Sequence, residues 1–249
     1  MKLSIITVCY NSAQFIEKAL QSIQAQTYED IEKVIVDGGS SDGTQDIVRR
    51  YLGPRDKFVS ETDNGIYDAM NKGVAMATGD VVYFLNADDR LADTGVVNEM
   101  MTIFRKDWDK AVVYGRVLYE DMPVETKGRQ PGQIYSEKAF LSYTICHQAV
   151  FARRALFVEL GGFDIRYRYV ADQEWLLRAY KKYSRHFFYV DRVVALYQYQ
   201  GQSYQHRDFT RKEKQDVLRR HFPLGVFIFY WLRYVFIRGI KKRILREEW

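Results

Sequence analysis

One stretch limits the fold more than any other: Val81–Arg90, V-V-Y-F-L-N-A-D-D-R. Five apolar residues run unbroken from Val81 to Leu85, which predicts a strand buried on both faces of a parallel sheet. The run stops at Asn86, and two carboxylates follow at Asp88 and Asp89. Open α/β sheets bind ligands in the crevice at the carboxyl ends of their strands. Carboxylate oxygens are hard ligands that suit Mg2+ or Mn2+, ions often held by one or two carboxylates together with phosphate oxygens. The plainer reading of the pair is a polar turn in which Asp88 or Asp89 caps the next helix.

The flanking sequence repeats a strand–helix alternation. Leu3–Cys9 reads as a strand, and Asn11 or Ser12 is placed to cap a helix with Phe15, Ile16, Ala19, Leu20 and Ile23 on one face. Lys33–Val36 is a second strand ending at Asp37-Gly38-Gly39, and Asp42 and Gln45 have capping-box spacing for a helix to about Tyr51. Lys57–Ser60 is a third strand. Ile66, Ala69, Met70, Gly73, Val74 and Ala77 then form an apolar stripe, with Asp68 and Lys72 on another face. This order predicts an α/β fold with a doubly wound, mostly parallel sheet.

Beyond Arg90 the expected elements are a helix over Val96–Phe104, a strand over Ala111–Tyr114 and a mobile polar loop over Glu120–Ile134. A short helix from Ser136 to Leu141 and a mixed stretch over Thr144–Phe151 follow, the latter containing His147. Arg154–Leu160 and Asp172–Tyr183 read as helices and Phe187–Gln198 as a strand. Gln200–Arg207 reads as a loop before a basic helix starting near Asp208. A boundary is expected at 215/216, with a nucleotide-binding half over 1–90 and an acceptor half over 91–215.

Two cysteines, Cys9 and Cys146, lack zinc or redox spacing and suit a reducing compartment. The opening residues lack a long apolar core and cleavage site, so they read as a first strand in a cytoplasmic protein. Residues 216–249 hold eight Lys/Arg against three acids, an excess that equals the net +5 of the whole chain. The charge therefore belongs to the tail and is no general nucleic-acid signature.

Asp37, Asp63 and Asp88/Asp89 all follow strands of one sheet, so they can line one crevice. Asp172 begins a helix, where it is either a cap or a hydrogen-bonded carboxylate at the crevice wall. His147 is either a contact to acceptor or metal, or a buried hydrogen-bonded histidine.

Six motifs occur in a fixed order: T-V-C-Y-N at 7–11, V-D-G-G-S-S-D-G-T at 36–44, L-N-A-D-D at 85–89, H-Q at 147–148, G-G-F-D at 161–164 and A-D-Q-E-W-L-L-R at 171–178. Together, over residues 1–205, they resemble the family-2 glycosyltransferases of the GT-A fold, of the bacterial polysaccharide-biosynthesis type. The resemblance implies that Thr7, Tyr10 and Asp37 lie at the nucleotide, with Tyr10 and Asp37 holding its base. It places Asp88 at the ribose or a metal, and Asp89 at the Mg2+ or Mn2+ that bridges the two phosphates. Asp63, Gly65 and Lys72 fall where the family contacts nucleotide or diphosphate, and Asp172 falls at the base that deprotonates the acceptor hydroxyl.

Three departures stand out. Thr7 and Val8 occupy positions where Pro is common, and Ala171 replaces the usual acid before the base. The Gln-x-x-Arg-Trp motif of processive synthases is missing, which implies addition of one sugar at a time. The implied chemistry is a direct displacement that inverts the anomeric centre, through an oxocarbenium-like transition state with charge leaving on the diphosphate. The donor would be a UDP-sugar first, with GDP- or dTDP-sugars next.

Leu224–Ile237 is apolar apart from Arg233. Fourteen helical residues span about 21 Å, short of a ~30 Å hydrocarbon core. Beyond it Arg238, Lys241, Lys242 and Arg246 share one helical face, and Ile237, Ile240 and Ile244 the other. Such a basic amphipathic helix suits an anionic membrane surface and a lipid-linked glycan acceptor, with the protein peripheral on the inner face of the cell membrane. The plainer reading is a helix packed on the domain or on a second copy of the chain. Two rival functions stay open: another nucleotide-using α/β enzyme, such as a nucleotidyltransferase or dehydrogenase, and a non-catalytic binder of nucleotide sugar or lipid carrier. Against the dehydrogenase, the first strand runs into C-Y-N-S with no Gly-x-Gly-x-x-Gly.

Overall fold

The computed structural model describes residues 1–119, 133–197, 206–230 and 232. The chain divides into two units, Met1–Gln205 and His206–Trp249. In the first, β1 (Leu3–Cys9), β2 (Ile31–Asp37), β3 (Lys57–Ser60) and β4 (Val81–Phe84) lie parallel in the order β3-β2-β1-β4. Helices α1 (Ile16–Gln24), α2 (Thr44–Tyr51) and α3 (Ile66–Met76) connect them. Parallel strands put their carboxyl ends on one edge, so the segments after β1, β2, β3 and β4 meet there. Every residue from Val81 to Leu85 is buried, as a strand covered on both faces requires.

The rest of the sheet changes direction. β5 (Arg90–Leu91), α4 (Val96–Lys106), β6 (Val112–Tyr119), β7 (Val150–Arg153), α5 (Arg154–Glu159), α6 (Ala171–Tyr183) and β8 (Phe187–Tyr197) complete the order β3-β2-β1-β4-β7-β6-β8-β5. β7 runs antiparallel to β4 and β6, and β5 runs antiparallel to β8, while β6 and β8 are parallel. The sheet is mixed, with four of its seven pairings parallel. β5 follows β4 in sequence yet ends the strand order, so the sheet curls, and the Leu91 amide donates to Ser22 Oγ on α1 at 3.1 Å. Sequence periodicity missed β5 and β7 because each is too short to show a repeat.

The helices are held by ordinary apolar burial. α1 turns Ile16, Ala19, Leu20 and Ile23 onto the sheet. Each large aliphatic side chain contributes roughly 1.5–3 kcal/mol on full burial, and Leu20→Ala would cost about 2–5 kcal/mol. On the other side Trp175 of α6 stacks on Phe157 of α5 at 4.0 Å, and Phe163 packs on Phe84 of β4 and Tyr67 of α3. At the amino ends of the strands lies a buried carboxylate, Glu32. It accepts from Ser4 Oγ, Thr78 N, Thr78 Oγ1 and Gly79 N, and pairs with Lys2 Nζ at 2.5 Å.

Both expected caps are replaced by other contacts. α1 starts after Phe15 with no side-chain cap, and Asn11, at φ 47°, uses Oδ1 to accept from the Ser41 amide. α2 starts after Gly43 in the left-handed region, so Asp42 and Gln45 form no capping box. Asp42 instead accepts from Ala13 N and from Thr44, tying the turn after β2 to the turn after β1. The stripe on α3 is rotated from the expected face. Tyr67, Ala69, Met70 and Gly73 point inward, and Ile66 is exposed. The expected helix over 136–141 is a 3-10 turn, Glu137–Leu141, and a second 3-10 turn, His147–Ala149, leads into β7. Most of the predicted 120–134 loop lies outside the described residues.

In the second unit α7 (Arg207–His221) is followed by helical residues 224–230. Phe209, Leu224, Ile228, Phe229 and Leu232 are exposed. Among the described residues no helix is long and apolar enough to cross a membrane. The tail's basic residues from Arg233 onward, and its isoleucines at 237, 240 and 244, lie outside the described residues.

Candidate active site

Two groups of residues gather at the carboxyl edge. The first surrounds Gly38, just after β2. A Cβ there would lie 2.7 Å from Asp63 Oδ2 and 3.3 Å from the Tyr10 ring, so only glycine lets both side chains close over this turn. Tyr10 is 65% exposed and offers an open aromatic face. Asp37 lies buried beneath. Its Oδ2 accepts from Gly39 N, Ser40 N and Ser60 Oγ, and its Oδ1 from Ser40 Oγ and Cys9 Sγ. Burial alone would raise its pKa, but these donors outweigh burial and hold the carboxyl below its ordinary value. Asp63 Oδ1 accepts from the Gly65 amide, and Gly65 takes φ +113°, which favours glycine. Lys72 is tied down: its Nζ pairs with Glu61 at 2.8 Å, donates to Thr62 O and lies 3.7 Å from Asp68. Thr7 is buried inside β1, with no hydrogen-bond partner for Oγ1.

The second group forms where β4 ends and β7 begins. β7 is antiparallel to β4, with Tyr83 opposite Phe151, so the turn before β7 arrives beside the turn after β4. Tyr83 fixes that arrival by stacking on Phe151 at 4.3 Å and donating its hydroxyl to Gln148 O at 2.8 Å. Asp88 is exposed, whereas Asp89 is 2% exposed and accepts from Gln148 Nε2 at 2.9 Å. Neither caps the next helix, since α4 begins after Gly95.

One residue away from Gln148, His147 Nδ1 lies 2.9 Å from Asp172 Oδ2, and Nε2 lies 3.3 Å from Asn86 Nδ2. Asp172 stands in the first turn of α6, one residue inside the helix. Its Oδ1 accepts from Tyr67 Oη and from the Gln173 amide, both at 2.8 Å. Burial pushes the Asp172 pKa up, but the hydrogen bond and charge of His147, with Tyr67 and the Gln173 amide, more than reverse that and hold it low. Burial raises the Cys146 thiol, so it stays neutral beside this group.

The structure thus ties Asp89 to Gln148 and Asp172 to His147, two consecutive residues of one turn, and sets Tyr10, Asp37 and Asp63 around a separate turn. Tyr67, Asn86 and Gln148 are members that motif reading did not single out for a role. Tyr67 was traceable in principle, because it lies three residues before Met70 on the buried face of α3.

The Gly-Gly-Phe-Asp and Leu-Leu-Arg segments build the supporting wall. Arg178 donates to the carbonyls of Leu160 and Gly162 and forks onto Glu174. Asn71 on α3 clamps Phe163 twice, accepting from its amide at 2.8 Å and donating to its carbonyl at 2.9 Å.

Comparison with known proteins gives the chain's family and fold. The model of the family described as "Glycosyl transferase family 2" matches residues 4–160. A "PGL/p-HBAD biosynthesis glycosyltransferase" of Mycobacterium bovis is 37% identical over 197 residues, covering 78% of this chain and 75% of the relative. S. aureus TarS residues 1–349, solved in complex with UDP-GlcNAc, superposes with TM-score 0.70 at 19% identity, over 89% of this chain and 67% of that one. The mannosyltransferase PcManGT from Pyrobaculum calidifontis, solved with GDP-Man and Mn2+, gives TM-score 0.68 at 22% identity, over 88% and 63%. The dehydrogenase, nucleotidyltransferase and non-catalytic readings fall away, and the chain belongs to glycosyltransferase family 2, an enzyme of GT-A fold.

Proposed function

We propose that this glycosyltransferase moves one sugar from a nucleoside-diphosphate sugar to a hydroxyl of a glycan acceptor, with inversion at the anomeric carbon. The observation that carries the reading is the side-chain chain Asp89–Gln148 and His147–Asp172. Consecutive residues of one short turn tie the carboxylate turn after β4 to the carboxylate at the head of α6. A group that steadies a leaving diphosphate and a group that draws a proton from the acceptor are needed together, and this turn holds their candidates in fixed relation.

Asp88 and Asp89 would hold Mg2+ or Mn2+. Among the described residues no cluster of three or more His, Cys, Asp or Glu could hold a metal. That donor set fits an ion bound mainly by phosphate and water, which needs one or two protein carboxylates. The fit is supported by the position of the pair, with Asp88 open to solvent and Asp89 braced from within by Gln148. When bound, the ion offsets charge that develops on the diphosphate. Tyr10 would stack on the base of the nucleotide, with Asp63 beside it and Asp37 fixing the turn beneath. Gly65 would let the backbone after β3 approach the diphosphate, and Lys72 would hold that segment through Glu61 and Thr62. Thr7 would act from within β1. UDP-sugars are the first candidate donors, GDP- and dTDP-sugars the next. TarS with UDP-GlcNAc and the mannosyltransferase with GDP-Man and Mn2+ support a nucleotide-sugar donor and a divalent ion.

Asp172 is the carboxylate on which acceptor deprotonation depends. Asp172→Asn should abolish transfer while UDP binding with Mn2+ persists in calorimetry; substantial remaining transfer would move the base elsewhere. For the acceptor, the exposed Leu224, Ile228, Phe229 and Leu232 support peripheral attachment to an anionic membrane carrying a lipid-linked glycan. Removing residues after 220 should release the protein from membranes, and a truncated protein that still pellets with vesicles would refute this.

A further inference from the structure

The geometry points to Asn86 and His147 as positioning residues for the transfer: through them the carboxylate turn after β4 sets the direction in which Asp172 presents its oxygens to the acceptor hydroxyl. The inference rests on the reaction proposed above and keeps Asp172 as the group that takes the proton.

Two contacts make the bridge. His147 Nδ1 lies 2.9 Å from Asp172 Oδ2, and Nε2 lies 3.3 Å from Asn86 Nδ2. An ionised carboxylate only accepts, so Nδ1 carries the hydrogen and donates it. In the neutral ring Nε2 is then an acceptor, and the group facing it, an amide nitrogen, only donates. Both neighbours select the same tautomer, and the ring is held at each end. A carboxylate at position 86 would offer Nε2 no donor.

Asn86 belongs to the turn that carries Asp88 and Asp89. Its backbone carbonyl accepts from the Asp89 amide at 3.1 Å, and the preceding Leu85 amide donates to Ile6 O of β1 at 3.0 Å. The turn is therefore fixed to the sheet. Asp172 comes from a different part of the chain and stands in the first turn of α6. Its Oδ1 is held by Tyr67 of α3 and by the Gln173 amide, and its Oδ2 by His147. With one oxygen held from α3 and the other from the turn before β7, the plane of the carboxylate is set. A misplacement of about 1 Å can cost about 100-fold in rate, so the fit between base and leaving-group side is worth such a bridge.

The titratable neighbours of Asp172 are His147 and the neutral Cys146 thiol on that turn and Tyr67 on α3. Burial raises the Asp172 pKa, and His147, ahead of Tyr67 and the Gln173 amide, brings it down. Losing the imidazole should therefore move the titration of Asp172 to higher pH, which loss of packing alone would not do.

The test follows Asp172 in the full chain with 13C-labelled aspartate carboxyls, assigned by comparison with Asp172→Asn. In His147→Leu the Asp172 signal should titrate at higher pH than in the parent. His147→Asn, whose amide N–H stands near the place of Nδ1, should bring it part of the way back. Asn86→Leu should raise it by a smaller amount, and should add nothing in a chain that already carries His147→Leu, because it acts through the ring. Histidine labelled with 15N should show hydrogen on Nδ1 of His147 and a bare Nε2. Hydrogen on Nε2 in the neutral ring, or strictly additive effects of the two substitutions, would overturn the inference. Turnover is read as nucleoside diphosphate release from UDP-glucose, UDP-GlcNAc and GDP-mannose with Mn2+ and water as acceptor. His147→Leu should lower kcat by about 10-fold or more, with the donor KM little changed and His147→Asn in between. If His147→Leu keeps the parental kcat and Asp172 titration while Asp172→Asn loses turnover, the inference fails and the transfer reading stands. If Asp172→Asn keeps its turnover, the base assignment in that reading fails.

Discussion

Asp89 and Gln148, fifty-nine residues apart, share a 2.9 Å hydrogen bond between side chains that are each 2% exposed. The amide fixes which way one carboxylate oxygen points, and so fixes the direction of whatever that carboxylate holds. Outer partners of metal ligands commonly contribute 10–100-fold in affinity. Gln148→Met keeps the volume and removes the donor. It should raise the Mn2+ concentration for half-maximal activity by about 10-fold or more, and should lower stability by about 1–3 kcal/mol because a buried carboxylate loses a donor, as read by activity titration and urea unfolding.

Tyr67→Phe removes one hydroxyl and leaves the ring against Phe163. A hydrogen bond to a charged group is worth about 1.5–3 kcal/mol, so denaturant unfolding should show a loss of that order. Asp172, no longer held by Tyr67, should titrate at a higher pH than in the parent protein. Carboxyl NMR shifts would check that direction, and kcat should fall by about 10-fold as the carboxylate loses its alignment.

Glu32 gives the stability of the molecule a definite acid dependence. Burial would raise its pKa, but Lys2, Ser4 and Thr78 lower it from 4.5 to about 2. Its contribution is therefore complete above about pH 4.5 and disappears as the pH falls toward 2, because only the unfolded chain takes up the proton in that window. The amount is on the order of 3 kcal/mol. Urea unfolding from pH 6 to pH 2.5 should show this decline, and Glu32→Gln should flatten it.

Gly162→Ala tests the wall of the site. The new Cβ would collide with Asn71 Oδ1, the atom that accepts from Phe163 N. Overpacking of this kind costs about 1–3 kcal/mol. Asn71→Ala should be destabilising alone, yet should relieve part of the Gly162→Ala defect. A double-mutant cycle in urea would show that coupling; strict additivity would mean the two residues do not meet.

The nucleotide-side strands and helices were legible because their apolar runs are continuous or periodic, as in Val81–Leu85 and Ile16–Ile23. The caps were not, because Asn11 spends its side-chain oxygen on the turn after β2, and Asp42 splits its two oxygens between the turn after β1 and Thr44, the first residue of α2, with Gly43 at the capping position. β5 and β7 escaped because a two-residue and a four-residue strand carry no period. Tyr67 escaped for a different reason. Ile66 looked like the apolar member of the stripe, but the buried face of α3 passes through its neighbour, and the hydroxyl that makes Tyr67 useful looks like a surface group in sequence. The partnership of His147 with Asp172 spans twenty-five residues and depends on α6 meeting the turn before β7, a relation that no local pattern encodes.

The reversed direction of β7 constrains how such chains can diverge. Had β7 run alongside β4 in the same sense, its entry would sit at the far rim, and its approach would be free to vary without disturbing Asp89. As built, any insertion, deletion or recombination breakpoint between residues 86 and 150 must preserve the encounter of Gln148 with Asp89. Shuffling of donor and acceptor specificities among relatives is therefore expected to use seams beyond Arg153, leaving the earlier span to be inherited whole.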